Sequence, residues 1–241
     1  MKKHIKMLVA ALLLCFALVP AAKAEAAVAT PAAPGGLGLY ASKGNEFMLS
    51  WNLDQSLAYN TYSYYGYEVV IENLKGKKIL TLDSDTYTNF GTVTNNPNKV
   101  AVIANSSKLK TQGFRFKVRA FVYDEIGTKV YGSYSGYKVI IPRANITGGK
   151  MSGSNVKISW QKVTGAKNYS VYLSSNNGKS FKKVATTSKK SATLKKLKKY
   201  KDYYVYVQAN KVTYKKKKYN STKPTDKVTG AYSFYIYTSY R

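Results

Sequence analysis

The sequence predicts an all-β protein made of two tandem β-sandwiches, and three observations support this prediction. Apolar and polar residues alternate with the period of a strand in segments 47–51, 67–71, 114–118 and 203–207. The 23 tyrosines, together with many Val, Thr and Ile residues, favour half-buried pleated sheet. The two halves of the chain also repeat one pattern. Short strands of this kind, broken by turns such as Asn176-Asn177-Gly178, are typical of sandwiches.

The first 24 residues have the three regions of a secretory signal peptide: a basic start, an apolar run over 7–19, and small residues up to Ala24. This run is shorter than the roughly 20 residues that a membrane-spanning helix needs. We therefore expect cleavage after Ala24, or secondly after Ala26, and no transmembrane segment in the mature chain. Cys15 lies inside the apolar run, where an ordinary apolar role is favoured over lipidation. The predicted location is extracellular.

Removal of this segment would take away His4 and Cys15, the only histidine and cysteine of the chain. Hydrolytic triads need an imidazole or another well-placed base, and zinc-type sites need His or Cys. We therefore predict a protein that is not an enzyme, with no catalytic residue, no metal site and no cofactor. Glycoside cleavage needs only two facing carboxylates. The candidates for such a pair, which we interpret as solvated loop and outer-face residues, are Asp54, Glu68, Glu72, Asp83 and Asp85.

The repeat is visible when the halves are aligned. Ser50-Trp51 corresponds to Ser159-Trp160, Tyr67 to Tyr169, and segment 114–120 to segment 203–209. The distance from the tryptophan to the final alanine is 69 residues in the first copy and 49 in the second, so the first copy carries 20 extra residues. They fall between 51 and 67 and between 82 and 109, where we expect loops.

At these residues the chain resembles the fibronectin type III family, in particular its bacterial extracellular version. The family has a Trp on strand B, a Tyr opening strand C, and a Leu six residues before a Tyr that starts strand F. That Tyr is followed by alternating Val and a small residue. The second copy matches this pattern at Trp160, Tyr169, Leu197, Tyr203, Val205, Val207 and Ala209. The first copy departs from it at Phe114, which cannot supply the tyrosine hydroxyl.

The resemblance implies two seven-stranded antiparallel sandwiches of the fibronectin type III and immunoglobulin-like kind. It also implies that the hydroxyl of Tyr203 bonds to the backbone of the preceding turn. The core residues implied are Trp51, Trp160, Phe114, Leu197 and Tyr203. Such modules serve in spacing, adhesion or binding.

The predicted organisation has five segments. Residues 1–24 are the signal peptide, 25–32 a linker, 33–142 a first domain with loop insertions, and 143–229 a lysine-rich second domain. Residues 230–241 form a C-terminal aromatic segment, either an added edge strand, which we prefer, or a tail.

Charge is very unequally distributed between the predicted domains. Residues 25–142 hold 12 Lys and Arg against 9 Asp and Glu, whereas residues 143–241 hold 23 against 2, so the nets are +3 and +21. Clustered lysines attract polyanions. Because Arg is scarce beside Lys, we expect diffuse attraction rather than specific nucleic-acid readout. The candidate polyanion-binding residues are Lys182, Lys183, Lys189, Lys190, Lys195, Lys196, Lys198, Lys199, Lys201, Lys215, Lys216, Lys217 and Lys218.

These lysines are consistent with two interpretations. They either bind an anionic cell-wall polymer or acidic polysaccharide, holding the protein electrostatically at the cell envelope, or simply form a charged surface whose edge lysines prevent strand-to-strand association.

The extended segment between Trp51 and Tyr67 supplies a second candidate surface, rich in tyrosine. Mixtures of Tyr, Ser, Gly and Asn suit recognition loops, because tyrosine offers a large rigid face at small entropic cost. The alternative is that these rings cap the core. If they bind, we expect a structural spacer or an adhesin that meets a glycan or protein. The candidate residues are Tyr59, Tyr62, Tyr64 and Tyr65.

Overall fold

The structure is a computed structural model that describes residues 28–43, 46–59, 64–93, 96–221 and 234–239. The predicted signal peptide and Tyr62 lie outside these residues. Apart from one short helix, the regular elements within them are strands, and every strand pair is antiparallel. The prediction of an all-β fold is therefore confirmed.

The first half folds into two facing sheets. One has the strand order β1-β2-β6-β5, and the other has the order β4-β3-β7-β8, with β9 also paired to β7. The elements are β1 (Gly38–Lys43), β2 (Glu46–Asn52), α1 (Gln55–Tyr59), β3 (Tyr65–Asn73), β4 (Lys78–Asp83), β5 (Phe90–Val93), β6 (Asn96–Asn105), β7 (Phe114–Tyr123), β8 (Lys129–Tyr131) and β9 (Lys138–Ile140).

The second half has a three-stranded sheet of order β10-β11-β14 and a four-stranded sheet of order β13-β12-β15-β18. Strands β16 and β17 form a separate hairpin. The elements are β10 (Ile146–Ser152), β11 (Asn155–Trp160), β12 (Asn168–Ser174), β13 (Lys182–Thr187), β14 (Ser191–Leu194), β15 (Asp202–Asn210), β16 (Val212–Tyr214), β17 (Lys217–Tyr219) and β18 (Phe234–Tyr237). The two sheets together have seven strands.

Each half has its own buried core, because alternate strand residues point inward. Trp51 packs edge-to-face on Tyr67 at 5.2 Å between ring centroids, and Trp160 packs in the same way on Tyr169 at 5.6 Å. Phe114 is fully buried against Phe47. Leu197 and Tyr203 are buried in the second core. The Tyr203 hydroxyl accepts a hydrogen bond from the backbone N–H of Lys198 at 2.9 Å.

Part of the extra sequence in the first half is regular structure rather than loop. Residues 90–93 form β5, which pairs with β6 at the sheet edge. Phe90 explains why this segment is ordered, since its ring lies edge-to-face on Trp51 at 6.1 Å and covers the core. The other insertion contains α1, where the Asp54 carboxylate accepts a hydrogen bond from the Ser56 N–H at 2.9 Å. The expectation that both insertions are loops is therefore wrong in these segments.

Of the two alternatives for the C-terminal segment, residues 234–237 take the strand. In β18, Ile236 lies opposite Tyr203 of β15 and is buried in the second core. In the first half, Ile140 of β9 lies opposite Phe114 of β7 in the same way. Strand β18 therefore completes the second sandwich, as β9 completes the first.

The halves also contact each other directly. The Thr164 N–H donates to the Thr111 carbonyl at 2.8 Å, and Arg115 Nη1 donates to the Tyr214 hydroxyl at 2.7 Å. Leu74, from the turn between β3 and β4, packs against the second core. These contacts hold one end of the first sandwich against the β16–β17 end of the second.

Candidate binding surfaces

The candidate lysines of the second half occupy four separate places. They lie on β13, in the loop before β14, in the turn between β14 and β15, and in the β16–β17 hairpin. All are exposed except Lys201, which is half-buried. The structure therefore distributes the cations over the edge and both ends of the second half, and does not gather them into one cluster.

Three of these positions have lysine in a strained backbone conformation, and one of them is Lys196, with a φ of 57°. Lys215 and Lys216 form the turn between β16 and β17, with φ of 46° and 63°. A two-residue hairpin turn of this kind requires positive φ at both positions, and Asn-Gly is its usual sequence. The hairpin thus presents four consecutive exposed lysines at its tip.

The two halves of the chain differ in the ion pairs that their side chains form. All ion pairs among the described residues join side chains of the first half: Arg115 with Glu72 at 2.5 Å, Arg119 with Glu68 at 2.8 Å, and Lys129 with Asp83 at 2.8 Å and Asp85 at 2.6 Å. No lysine of the second half forms an ion pair within the described part of the chain. The positive potential of that half is therefore not neutralised locally.

The outer face of β7 carries a ladder of cations between tyrosine rings. Arg115, Lys117 and Arg119 alternate along the strand and share one face. They lie 3.9 Å from the ring centroid of Tyr137, 3.8 Å from Tyr134 and 3.7 Å from Tyr131, respectively. Each is within cation–π distance. Because these cations are already engaged by rings and carboxylates, this face is less suited than the second half to attract polyanions.

Two carboxylates of the first half, Glu72 and Asp85, have a lowered pKa. Burial alone raises the pKa of Glu72, but hydrogen bonds from Arg115 and Tyr137 outweigh it and hold the pKa below its ordinary value. The same balance lowers the pKa of Asp85, whose main partners are Lys129 and Tyr123. Burial, followed by the hydrogen bond to Glu68, raises the pKa of Tyr134 to about 12. Of the carboxylates considered for glycoside cleavage, Glu72 and Asp85 are thus stabilised as anions by neighbouring cations and hydroxyls.

The tyrosine-rich segment is only partly described. Tyr64 is 49% exposed and its ring lies 5.7 Å from Tyr123. Tyr65 is half-buried and packs edge-to-face on Tyr67, so it caps the core. Tyr59 ends α1, and its side chain lies outside the described residues. Of the two candidates whose side chains are described, Tyr64 is exposed and Tyr65 is half-buried.

A polar depression on the outer face of the second half was not predicted from the sequence. It has a volume of about 330 Å³. Its lining residues are Asn168, Ser170, Tyr172, Lys183, Thr186, Gln208, Asn210, Lys211 and Asn220. The sequence contains one pattern that could have indicated this depression. Polar residues alternate in segments 168–172 and 208–210, and strand pairing brings these segments together. Lys183 was the only lining residue among the candidate lysines.

A family model for the fibronectin type III domain matches residues 141–225. The predicted family resemblance is confirmed for this segment. The fibronectin type III match begins before β10 and includes the strands up to β17.

Two solved structures are similar to the chain. The FN1-FN3 domains of chicken CNTN1 are 20% identical, with 88% of this chain and 68% of that chain covered and a TM-score of 0.33. A segment of two fibronectin type III domains from chicken tenascin is 14% identical, with 80% and 99% covered and a TM-score of 0.30. No curated protein matches the sequence.

Two kinds of feature are absent from the part of the chain that the structure describes. No helix there combines the length and apolar character needed to cross a membrane. Nor do three or more His, Cys, Asp or Glu side chains group there in a way that could hold a metal ion.

Proposed function

We propose that the chain is a secreted, non-catalytic binding module that associates with anionic cell-envelope or extracellular polymers through its second domain. The observation that carries the proposal is the set of exposed lysines without ion-pair partners in the described part of residues 143–241. Lysine is a strongly hydrated point charge, which suits diffuse attraction to repeated negative groups. A net charge of +21 on this segment gives that attraction its strength.

Salt dependence tests this proposal. The full-length chain is titrated with inorganic polyphosphate at several salt concentrations. Binding should weaken steeply with salt, with a log–log slope of about 0.7 per neutralised charge for a flexible strand. Replacement of Lys215, Lys216, Lys217 and Lys218 by Gln should lower that slope. The matched control removes four exposed lysines of the first half, Lys75, Lys77, Lys78 and Lys108. Equal slopes in the two variants would contradict the proposal.

The same electrostatics predicts where the protein is found. Fractionation of the producing cells should recover the chain with the envelope at low salt and release it as salt rises, because the Debye length shortens from about 30 Å at 0.01 M to about 3 Å at 1 M. Protein that stays in the cell interior would exclude secretion. Protein that stays on the envelope at 1 M salt would exclude an electrostatic attachment.

A spacer is the second candidate function, and the contacts between the halves favour it. Hydrogen bonds from Thr164 to Thr111 and from Arg115 to Tyr214, with the packing of Leu74, restrict rotation at the junction. A spacer would hold Tyr64, which is exposed, at a fixed distance from the second half. Replacement of Tyr64 by Ala should then reduce adhesion to glycan-coated or whole-cell surfaces while leaving polyphosphate binding unchanged. Unchanged adhesion of the Tyr64→Ala variant would contradict a role of Tyr64 in adhesion.

A further inference from the structure

The polar depression is built on two paired strands. In the register of β12 and β15, Asn168 lies opposite Asn210, Ser170 opposite Gln208 and Tyr172 opposite Tyr206. Directly opposed residues of an antiparallel pair point to the same face. The outer face of the sheet therefore carries an amide row, a serine and an aromatic pair, in that order.

Hydrogen bonds hold these polar side chains in place. Asn210 Nδ2 donates to Asn168 Oδ1 at 3.0 Å and to Ser170 Oγ at 2.8 Å. Gln208 Nε2 donates to the Ser221 carbonyl at 2.7 Å. Asn210 is 8% exposed and Ser170 is 7% exposed. This network orients the amides before any ligand arrives, which reduces the entropy lost on binding.

The network leaves hydrogen-bonding capacity on its open side. Within the described residues, no hydrogen bond uses Nδ2 of Asn168, although Asn168 Oδ1 is engaged by Asn210. An Asn amide group has two donor hydrogens. Asn168 is half-buried at the lining of the depression, so its donors remain available to a ligand hydroxyl or carboxylate.

Three packed aromatic rings lie at one end of this row of polar side chains. The Tyr172 ring stacks on Tyr206 with centroids 4.6 Å apart and planes 7° apart, and Phe181 meets Tyr206 edge-on at 4.9 Å. The Tyr172 hydroxyl donates to Gln208 Oε1 at 3.2 Å. These contacts fix the orientation of the Tyr172 ring, which lines the depression.

Two cations complete the lining. Lys183 lies opposite Tyr172 on the neighbouring strand β13, and Lys211 follows the last residue of β15 with a φ of 58°. Both side chains are exposed, and neither forms an ion pair within the described part of the chain. The depression therefore combines two positive charges with fixed amides and an aromatic ring.

We propose that this depression binds an acidic sugar residue of a polysaccharide. Amides recognise ring hydroxyls, the tyrosine contacts the apolar face of the sugar, and the lysines pair with its carboxylate. The volume of about 330 Å³ lies at the lower end of the range of about 300–1,000 Å³ for ligand sites, which suits one or a few sugar rings. This inference rests on the proposed polyanion binding and adds a specific subsite to it.

Titration of the full-length chain with three probes tests the subsite. The probes are an oligosaccharide containing glucuronic acid, the same oligosaccharide with its carboxylates reduced to alcohols, and inorganic polyphosphate. Lys183→Gln should weaken uronate binding about tenfold, the loss expected for one charge-assisted hydrogen bond, and Asn168→Ala should weaken it about threefold, the loss expected for a neutral one. Lys182→Gln is the matched control, since it removes the same charge from the adjacent residue, whose side chain leaves the strand on the opposite side.

The results with the three probes distinguish the acidic-sugar subsite from the general polyanion binding proposed above. The subsite is supported when the two lining variants lose uronate affinity, the control changes by less than twofold, and the reduced oligosaccharide binds about tenfold more weakly than the uronate. It is overturned when Lys183→Gln, an exposed substitution that does not threaten folding, binds the uronate as the unmodified chain does, or when carboxyl reduction has no effect. Failure of polyphosphate binding at low salt overturns the proposed function instead.

Discussion

The hydroxyl of Tyr203 accepts a hydrogen bond from the N–H of Lys198, five residues earlier, at 2.9 Å. Tyr203→Phe removes this acceptor and leaves a backbone donor unpaired, so the free energy of unfolding should fall by about 1–3 kcal/mol. Urea denaturation measures the change. Tyr204→Phe is the control, because no hydrogen bond to the Tyr204 hydroxyl exists among the described residues; equal losses in the two variants would contradict the role of this bond.

A second prediction concerns Glu72 and the stability of the protein at acid pH. Its folded pKa lies below the ordinary value of about 4.3. A lowered folded pKa contributes stability above the unfolded pKa, and this stability is lost as pH falls through the folded pKa. The chain should therefore become easier to denature as the pH falls below about 5, and less steeply so in Glu72→Gln. Urea midpoints across this range measure it, with the exposed Glu125→Gln as control; parallel curves for all three proteins would contradict the prediction.

Individual core residues were the easiest features to predict from the sequence. Trp51, Trp160 and Phe114 are large apolar residues within alternating runs, so their burial follows from strand periodicity alone. Asn168 and Asn210 gave no comparable signal, because their meaning depends on a register that joins residues 42 positions apart. A single polar residue on an outer strand face looks the same whether it lines a site or faces solvent.

Among the elements, the β16–β17 hairpin is the one whose sequence and backbone disagree most. Lys215 and Lys216 both have positive φ, which costs an L-residue roughly 1–2 kcal/mol. Lys215→Asn with Lys216→Gly fits the turn better and should raise the unfolding free energy by about 1–2 kcal/mol. Thermal and urea unfolding measure it. Lys217→Gln with Lys218→Gln removes the same charge without changing the turn, so equal stabilisation would mean that charge repulsion, not strain, is relieved.

Strand β5 illustrates why an element can escape prediction. Its four residues are too few to establish a period, and it is held by pairing with β6 and by Phe90 on Trp51. Strand β18 was easier to anticipate, because its run of aromatic and β-branched residues has strong strand preference. The strand with which β18 pairs was harder to predict, since 23 residues lie between the end of β15 and the start of β18.

At the scale of the whole molecule, the junction between the halves depends on a glycine. A Cβ on Gly113 would lie 2.7 Å from both Ile141 Cδ1 and Leu74 Cδ1. Gly113→Ala should therefore separate the packed groups, cost about 1–3 kcal/mol and widen the range of interdomain angles. Small-angle scattering and urea unfolding measure both effects. Gly91→Ala, where nothing lies within 4 Å, is the control; unchanged scattering for Gly113→Ala would contradict a fixed junction.

None of the junction contacts was predicted from the sequence. Arg115 and Tyr214 are 99 residues apart, and nothing in either segment identifies the other as a partner. The unequal net charge of the two halves could be counted directly from the sequence. Which of the charged side chains form ion pairs could not be predicted from it. The structure adds that three cations and four carboxylates of the first half pair with one another, whereas no lysine in the described part of the second half has an ion-pair partner.

That imbalance makes the molecule a strong permanent dipole. Near any negatively charged surface, the field exerts a torque that turns the lysine-rich end inward and the nearly neutral end outward. The first sandwich would then be presented to the surroundings in a defined orientation without any covalent anchor. Raising the salt concentration weakens the torque and the attraction together, so alignment and attachment should disappear over the same range of ionic strength.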